Sequence, residues 1–202
     1  MNRLEEVKHF FEQQDPAIYA QLLTMLDLEP ISKTSSDQYF IKLCRSIIYQ
    51  QLSGKAAGTI YGRYEQLFDG EITPEKVVAI EQAKLRNAGL SNAKGNYVKN
   101  IAAAALDGTV QFEKLDDKDD QYVIDHLTQI KGVGQWTAEM FLMFTLGRED
   151  VFSLGDLGLR KGFQKLYGYK KIPSSKTILS RSKRWSPYRT YASMALWSAA
   201  DS

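Results

Sequence analysis

A chain of 202 residues with 44% hydrophobic and 25% charged side chains can bury a core and has the composition of an ordinary globular protein. No apolar run approaches the roughly 20 residues of a membrane helix. One cysteine, Cys44, excludes an internal disulfide, a four-cysteine zinc site and an iron–sulfur cluster held by one chain's cysteines, and two separated histidines, His9 and His126, have no ligand partners at the spacing of a histidine-based catalytic metal. The net charge of +2 hides a division. Residues 160–202 carry ten Lys or Arg against one acid, Asp201, whereas the preceding 159 residues carry sixteen basic and twenty-three acidic side chains. A basic end of +9 on a remainder of −7 suits a polyanion partner, or is simply a solvated helix face.

The N-terminal "MNRLEEVKHFFEQQ" mixes charges of both signs through its apolar positions, so it is not a signal peptide. The expected location is the cytoplasm, nucleoid-associated, in a bacterium, or the nucleus in a eukaryote. Asp15-Pro16, Thr73-Pro74 and Ser186-Pro187 each place an N-cap residue before a proline at the first helical position. Apolar residues at three- and four-residue spacing follow each: Ile18, Leu22 and Met25; Val77, Val78 and Ile80; Tyr191, Met194 and Trp197. A helix over 37–50 carries "YFIKLCRSII", with Cys44 on its apolar face as a core residue. Ser53 opens "GKAAGTIYGRYEQLF", and Ser91 opens "NAKGNYVKNIAAAAL", which Gly108 stops. "GTVQF" is the best strand candidate and is short, while the polar "KLDDKDDQ" (114–121) leads into a further helix. The pattern predicts an all-α protein of eight to ten helices joined by short loops. Residues 1–202 are expected as one compact unit with sub-lobes 30–110 and 111–202, a cleft between them, and 1–29 packing on the second.

"LTQIKGVGQWTAEMF" (127–141) sets Gly132 and Gly134 between Leu127 and Ile130 on one side and Val133, Ala138, Phe141 and Leu142 on the other. Such a turn either lets two helices pack closely or presents bare backbone amides, at a helix N-terminus, to an anion. Downstream, Asp156 in "DVFSLGDLGLRKGF" precedes the helical pattern Leu157, Leu159, Phe163 and Leu166. Taken alone it is an N-cap; beside a phosphate-binding turn it is also a carboxylate at a helix start.

Residues 127–163 together closely resemble the helix-hairpin-helix base-excision glycosylases, within them the DNA-3-methyladenine glycosylase II branch. "SIIYQQLSGKAAGTI" looks like that family's glutamine-bearing helix–loop–helix, "GLSNAKGNYVKNIA" like its following segment and "RWSPYRTYASMALW" like its C-terminal helix. Four segments in the family's order are far more specific than two glycines. The resemblance implies an all-helical fold of two lobes with a DNA-facing cleft, and it makes Asp156 the catalytic aspartate. A carboxylate there stabilises the positive charge that develops on the sugar, or orients the attacking water. Trp136 stands where bifunctional relatives hold a Schiff-base lysine, so the implied enzyme is monofunctional. Its π face also suits a cationic base. The implied base pocket comprises Trp136, Trp197, Met140 and Tyr49. Gln50, Gln51 and Leu52 match the loop that fills the gap left by an extruded nucleotide, with the wedge itself open among them.

By the same resemblance, Lys131, Gly132, Val133, Gly134 and Thr137 contact DNA at the hairpin, and Arg160, Lys161 and Arg189 contact its backbone. The carbonyls of Thr128, Ile130 and Val133 match positions that hold a structural sodium or potassium ion, and no cofactor is implied for catalysis. The expected partner is double-stranded DNA containing alkylated bases, bound by a monomer without membrane association. Tyr49, Met140 and Ser153 depart from the family's usual residues (a small residue, an aromatic and a proline), and the additional β-rich lobe of some relatives has no room. The expected function is excision of N-alkylated purines of the 3-methyladenine and 7-methylguanine type. A non-catalytic module for damaged or branched DNA is the alternative.

Overall fold

A computed structural model describes residues 2–201. It contains, among the described residues, twelve α-helices, three short 3-10 turns and no strand. The count exceeds the eight to ten expected; the helix Gln82–Asn87 is too short to show a period, whereas the equally short Pro74–Ala79 is signalled by Thr73-Pro74. "GTVQF" is irregular chain leading into a 3-10 turn at Phe112–Lys114. Among the described residues no helix is long and apolar enough to cross a membrane.

The chain divides into two compact units. One is residues 34–146; the other combines 1–33 with 147–202. The boundary expected near 110 therefore lies at 146, and 111–146 belongs with the segment before it. The chain leaves the second unit after its first two helices and returns to it, a course that local pattern does not encode.

The first unit holds α3 (Tyr39–Tyr49), α4 (Gly54–Gln66), α5 (Pro74–Ala79), α6 (Gln82–Asn87), α7 (Asn92–Leu106), α8 (Asp120–Leu127) and α9 (Gln135–Phe144). Its helix starts obey local chemistry. The side chains of Ser53, Thr73, Ser91 and Asp119 each accept from the backbone amide three residues on. Gly108 takes a positive φ of 78° just past α7, where an L side chain would be strained. Leu43, Cys44, Ile47, Ile48, Val98, Ile101 and Leu142 are fully buried, each contributing roughly 1.5–3 kcal/mol if comparable to a large aliphatic side chain. Burial raises the Cys44 thiol pKa far above its ordinary value, so this cysteine is an inert core residue.

The second unit holds α1 (Arg3–Gln14), α2 (Pro16–Thr24), α10 (Leu157–Leu166), α11 (Ser175–Ser182) and α12 (Arg189–Asp201). Asn2 and Glu5 form a capping box on α1. Val7, Phe11, Ile18 and Leu22 pack with Leu159, Phe163, Trp185 and Leu196 in one core. One helix-start expectation holds here and one fails. Asp15 is the N-cap of α2 with Pro16 at the first helical position, although its carboxylate makes no cap bond and is bound instead by Arg181, Tyr167 and Trp185. Ser186-Pro187 is a cis bond outside any helix, and α12 begins at Arg189 while the Ser186 hydroxyl donates to Asp150. α10 and α12 cross at Gly162. A Cβ there would lie 1.9 Å from the Leu196 carbonyl oxygen, so only glycine permits this approach.

Candidate active site and nucleic-acid interface

In the 34–146 unit the turn between α8 and α9 closes through the Val133 amide, which donates to the Ile130 carbonyl at 2.9 Å. The two glycines answer the packing-or-anion question differently. Gly132 has a φ of 110°, and a Cβ on it would stand 2.2 Å from Cγ of Tyr97. It is required for packing. Gly134 is the N-cap of α9 with φ of −94°, has open space around a hypothetical Cβ, and contributes no side-chain cap to the helix. The first-turn amides of α9 therefore have no capping side chain, and the positive end of the helix dipole lies there. Uncapped amides at a helix N-terminus are able to receive an anion.

These roles separate on substitution. Gly132→Ala should lower stability by about 1–3 kcal/mol through overpacking and strain. Gly134→Ala should leave the melting temperature nearly unchanged while weakening DNA binding. Thermal denaturation paired with a DNA titration distinguishes them, and equal losses for both variants would contradict the division of labour.

Lys131 is exposed beside the turn, and Trp136 on the first turn of α9 is 43% exposed. Met140, half-buried, follows it by one helical turn. Thr137 is buried, and its hydroxyl accepts from the Gln50 side-chain amide at 2.9 Å. Gln50 and Thr137 thus engage one another, and what Thr137 offers a phosphate is its backbone amide. Gln51, by contrast, is exposed with a φ of 57°, and Leu52 is 39% exposed. Of the three loop residues, these two are presented outward. Tyr49 lies against other partners: the Arg45 guanidinium sits 4.8 Å over its ring and 5.4 Å over Tyr61. Its aromatic surface is a cation–π ledge on α3 and α4.

In the other unit Asp156 is the N-cap of α10, half-buried. Its Oδ1 accepts from the Leu159 amide at 2.7 Å and from the Trp197 indole N–H at 3.0 Å. Gly158 makes room for this arrangement, since a Cβ would stand 3.0 Å from both Asp156 Oδ1 and Trp197 Cδ1. Trp197, expected as a base-pocket ring, is also the group that orients the carboxylate. Ser153 is fully buried, and its carbonyl accepts from the Asp156 amide at 3.1 Å.

The three cations assigned to the DNA backbone differ. Lys161 is exposed. Arg160 is half-buried and its buried Nε has no hydrogen-bond partner. Arg189 is held by Asp150, with Nε donating to Oδ1 at 2.6 Å, so its charge is largely offset within the protein. The Asp150 charge, seven residues ahead of α10, was the missed signal.

Among the described residues no group of three or more His, Cys, Asp and Glu could hold a metal ion. Among the described residues no backbone amide donates to the Thr128 or Val133 carbonyl at the hairpin, and the Ile130 carbonyl, with one donor, retains a second lone pair. Neutral carbonyl oxygens of this kind fit a hard monovalent cation.

A family model described as "HhH-GPD superfamily base excision DNA repair protein" matches residues 44–187. DNA-3-methyladenine glycosylase 1 of Schizosaccharomyces pombe is 36% identical over 159 residues, spanning 77% of this chain and 70% of that protein. The crystal structure of a DNA-3-methyladenine glycosidase from Bacillus halodurans superposes with a TM-score of 0.81 at 40% identity, covering 96% of this chain and 88% of the other. A Schizosaccharomyces pombe 3-methyladenine DNA glycosylase in complex with abasic DNA superposes at 0.83 with 31% identity, covering 95% of each.

Proposed function

The chain belongs to the HhH-GPD superfamily of base excision DNA repair proteins, and from that premise we propose that it is an alkylbase DNA glycosylase of the monofunctional kind. The observation that carries the reading is the Asp156 carboxylate, fixed at a helix N-terminus by the Trp197 indole. Base excision breaks the N-glycosidic bond through a sugar with oxocarbenium character. A carboxylate held in one orientation stabilises that charge without reorganising. The base departs with the bonding electrons, which neutralise its positive charge, and water then adds to the sugar carbon and loses a proton. N-alkylated purines such as 3-methyladenine and 7-methylguanine already carry positive charge, so no separate acid is needed. The stacked base hides its glycosidic carbon, and extrusion must precede this step. Exposed Gln51 and Leu52 are the side chains available to fill the duplex.

The α9 amides and Lys131 grip a phosphate. The carbonyls of Thr128, Ile130 and Val133 would hold a sodium or potassium ion that stiffens the turn, with no part in bond breaking. Trp136 has no amine to form a Schiff base, so the product is an abasic site on an intact strand. The protein acts on double-stranded DNA as a monomer.

Purified protein incubated with methylated duplex should release 3-methyladenine or 7-methylguanine, leave the strand uncut, and give no adduct on borohydride treatment. Release of neither base from any of a lesion panel, with tight binding to abasic DNA retained, would select a non-catalytic binding module. Duplex affinity should fall with a log–log slope near −0.9 per phosphate contacted as salt rises. A flat salt response would remove the hairpin from the interface.

A further inference from the structure

The segment "GLSNAKGNYVKNIA" supplies no group to the chemistry above, yet its helix reaches both elements assigned to DNA. Lys94, Tyr97 and Asn100 stand three residues apart along one side of α7. The Lys94 amide is capped by Ser91, and its side chain goes on to α3. Nζ donates to the carbonyl oxygens of Ile48, at 2.7 Å, and Gln50, at 2.6 Å. These lie where α3 ends, at carbonyls the helix cannot satisfy itself and at the negative end of its dipole. The next residue is Gln51, whose left-handed φ of 57° a non-glycine holds only when its surroundings impose it. One helical turn further along α7, the Tyr97 ring lies directly beneath Gly132. A turn beyond that, the Asn100 amide donates to the Lys131 carbonyl at 2.9 Å.

We infer that the Lys94–Tyr97–Asn100 side of α7 is a positioning ribbon that fixes the glutamine loop and the glycine hairpin in one register, Lys94 setting the loop that enters the duplex and Asn100 the hairpin that grips the strand. This rests on the glycosylase reading for its purpose. The ribbon makes extrusion and grip separable: the lysine governs the first, the asparagine the second. The Gln50–Thr137 bond closes the circuit by tying the loop to α9 directly.

The test uses the full-length protein with a duplex carrying an abasic analogue opposite 2-aminopurine, whose fluorescence rises when the loop enters and unstacks it. This readout does not depend on base release. Lys94→Met should lower the fluorescence change at saturation and the single-turnover excision rate by tenfold or more, leave affinity for undamaged duplex within twofold, and be largely rescued by Lys94→Arg. Asn100→Ala should do the reverse, weakening undamaged-duplex affinity several-fold with the saturated fluorescence change intact. The ribbon is refuted if Lys94→Met behaves as wild type, or if the two variants lose loop entry and duplex affinity in parallel. Should Lys94→Met fail to fold, Lys94→Gln, which keeps a polar side chain but loses the charge, takes its place beside Asn100→Ala, because a merely structural helix predicts no split between the two readouts. Wild type that unstacks the probe but releases no base would sink the glycosylase reading and leave the ribbon standing.

Discussion

Asp156→Asn should lower base release by roughly 10³-fold or more, while binding abasic DNA nearly as well. Asparagine is as good an N-cap as aspartate, and its carbonyl can still accept from the Leu159 amide and the Trp197 indole. The fold and the geometry of the site therefore survive, and only the charge is lost. Because that charge acts on a sugar that is cationic only as the bond breaks, the loss belongs in the rate of the chemical step and not in binding. Single-turnover excision under saturating enzyme measures it directly. Trp197→Phe should fall between: it keeps an aromatic ring but removes a hydrogen bond to a charged group, worth about 1.5–3 kcal/mol, or about 10–100-fold in rate. A Trp197→Phe enzyme with full activity would mean that the indole is only a packing group, and an Asp156→Asn enzyme that still releases base would move the catalytic charge elsewhere.

What was legible in the sequence was local. Ser91, Thr73 and Asp156 declare helix starts because the amide each caps is only three residues away. The hairpin declares itself because two glycines serve one turn, although only the structure separates the packing glycine, Gly132, from the open one, Gly134. What stayed hidden was contact at a distance. Arg189 reads as a free cation until Asp150, 39 residues earlier, is seen to hold it. Thr137 and Gln50 read as two DNA contacts, yet 87 residues apart they bond to each other. Lys94 reads as one more surface lysine on a helix, since nothing in its neighbourhood names the carbonyls 44 and 46 residues back. The division of the chain was hidden for the same reason. Residues 1–33 belong with 147–202, and no periodicity reports a return across more than a hundred residues.

The largest loss of stability should come from Asp15, the N-cap residue of α2, whose carboxylate bonds to other parts of the fold instead of to its own helix. Its side chain is 1% exposed, and Arg181 Nε, Trp185 Nε1 and Tyr167 Oη each donate to Oδ2 at 2.9 Å. Arg181 also stacks over the Tyr167 ring at 3.8 Å. These bonds join the residue between α1 and α2 to the end of α10, to α11 and to the turn that follows it. Removing the carboxylate leaves a guanidinium, an indole N–H and a phenol facing a void. Breaking a buried pair this way costs about 3–5 kcal/mol; with the Arg181 side chain 34% exposed the lower end of that range applies, still a large share of the roughly 5–15 kcal/mol that holds a typical domain together. Asp15→Ala should therefore lower the urea midpoint steeply. The pH dependence gives an independent check. Burial alone would raise the Asp15 pKa, but the bonds from Arg181, Trp185 and Tyr167 outweigh it and leave the group below its ordinary value. A depressed folded pKa means stability that is fully present above the unfolded value, about 3.9, and is lost as pH falls through the lower folded one. Asp15→Asn has no such proton to take up. It should be less stable than wild type at pH 7 and lose less of its remaining stability below pH 4, so that the two urea midpoints converge in acid. Midpoints that stay parallel from pH 7 to pH 2 would show that Asp15 is not the group through which acid loosens this part of the fold.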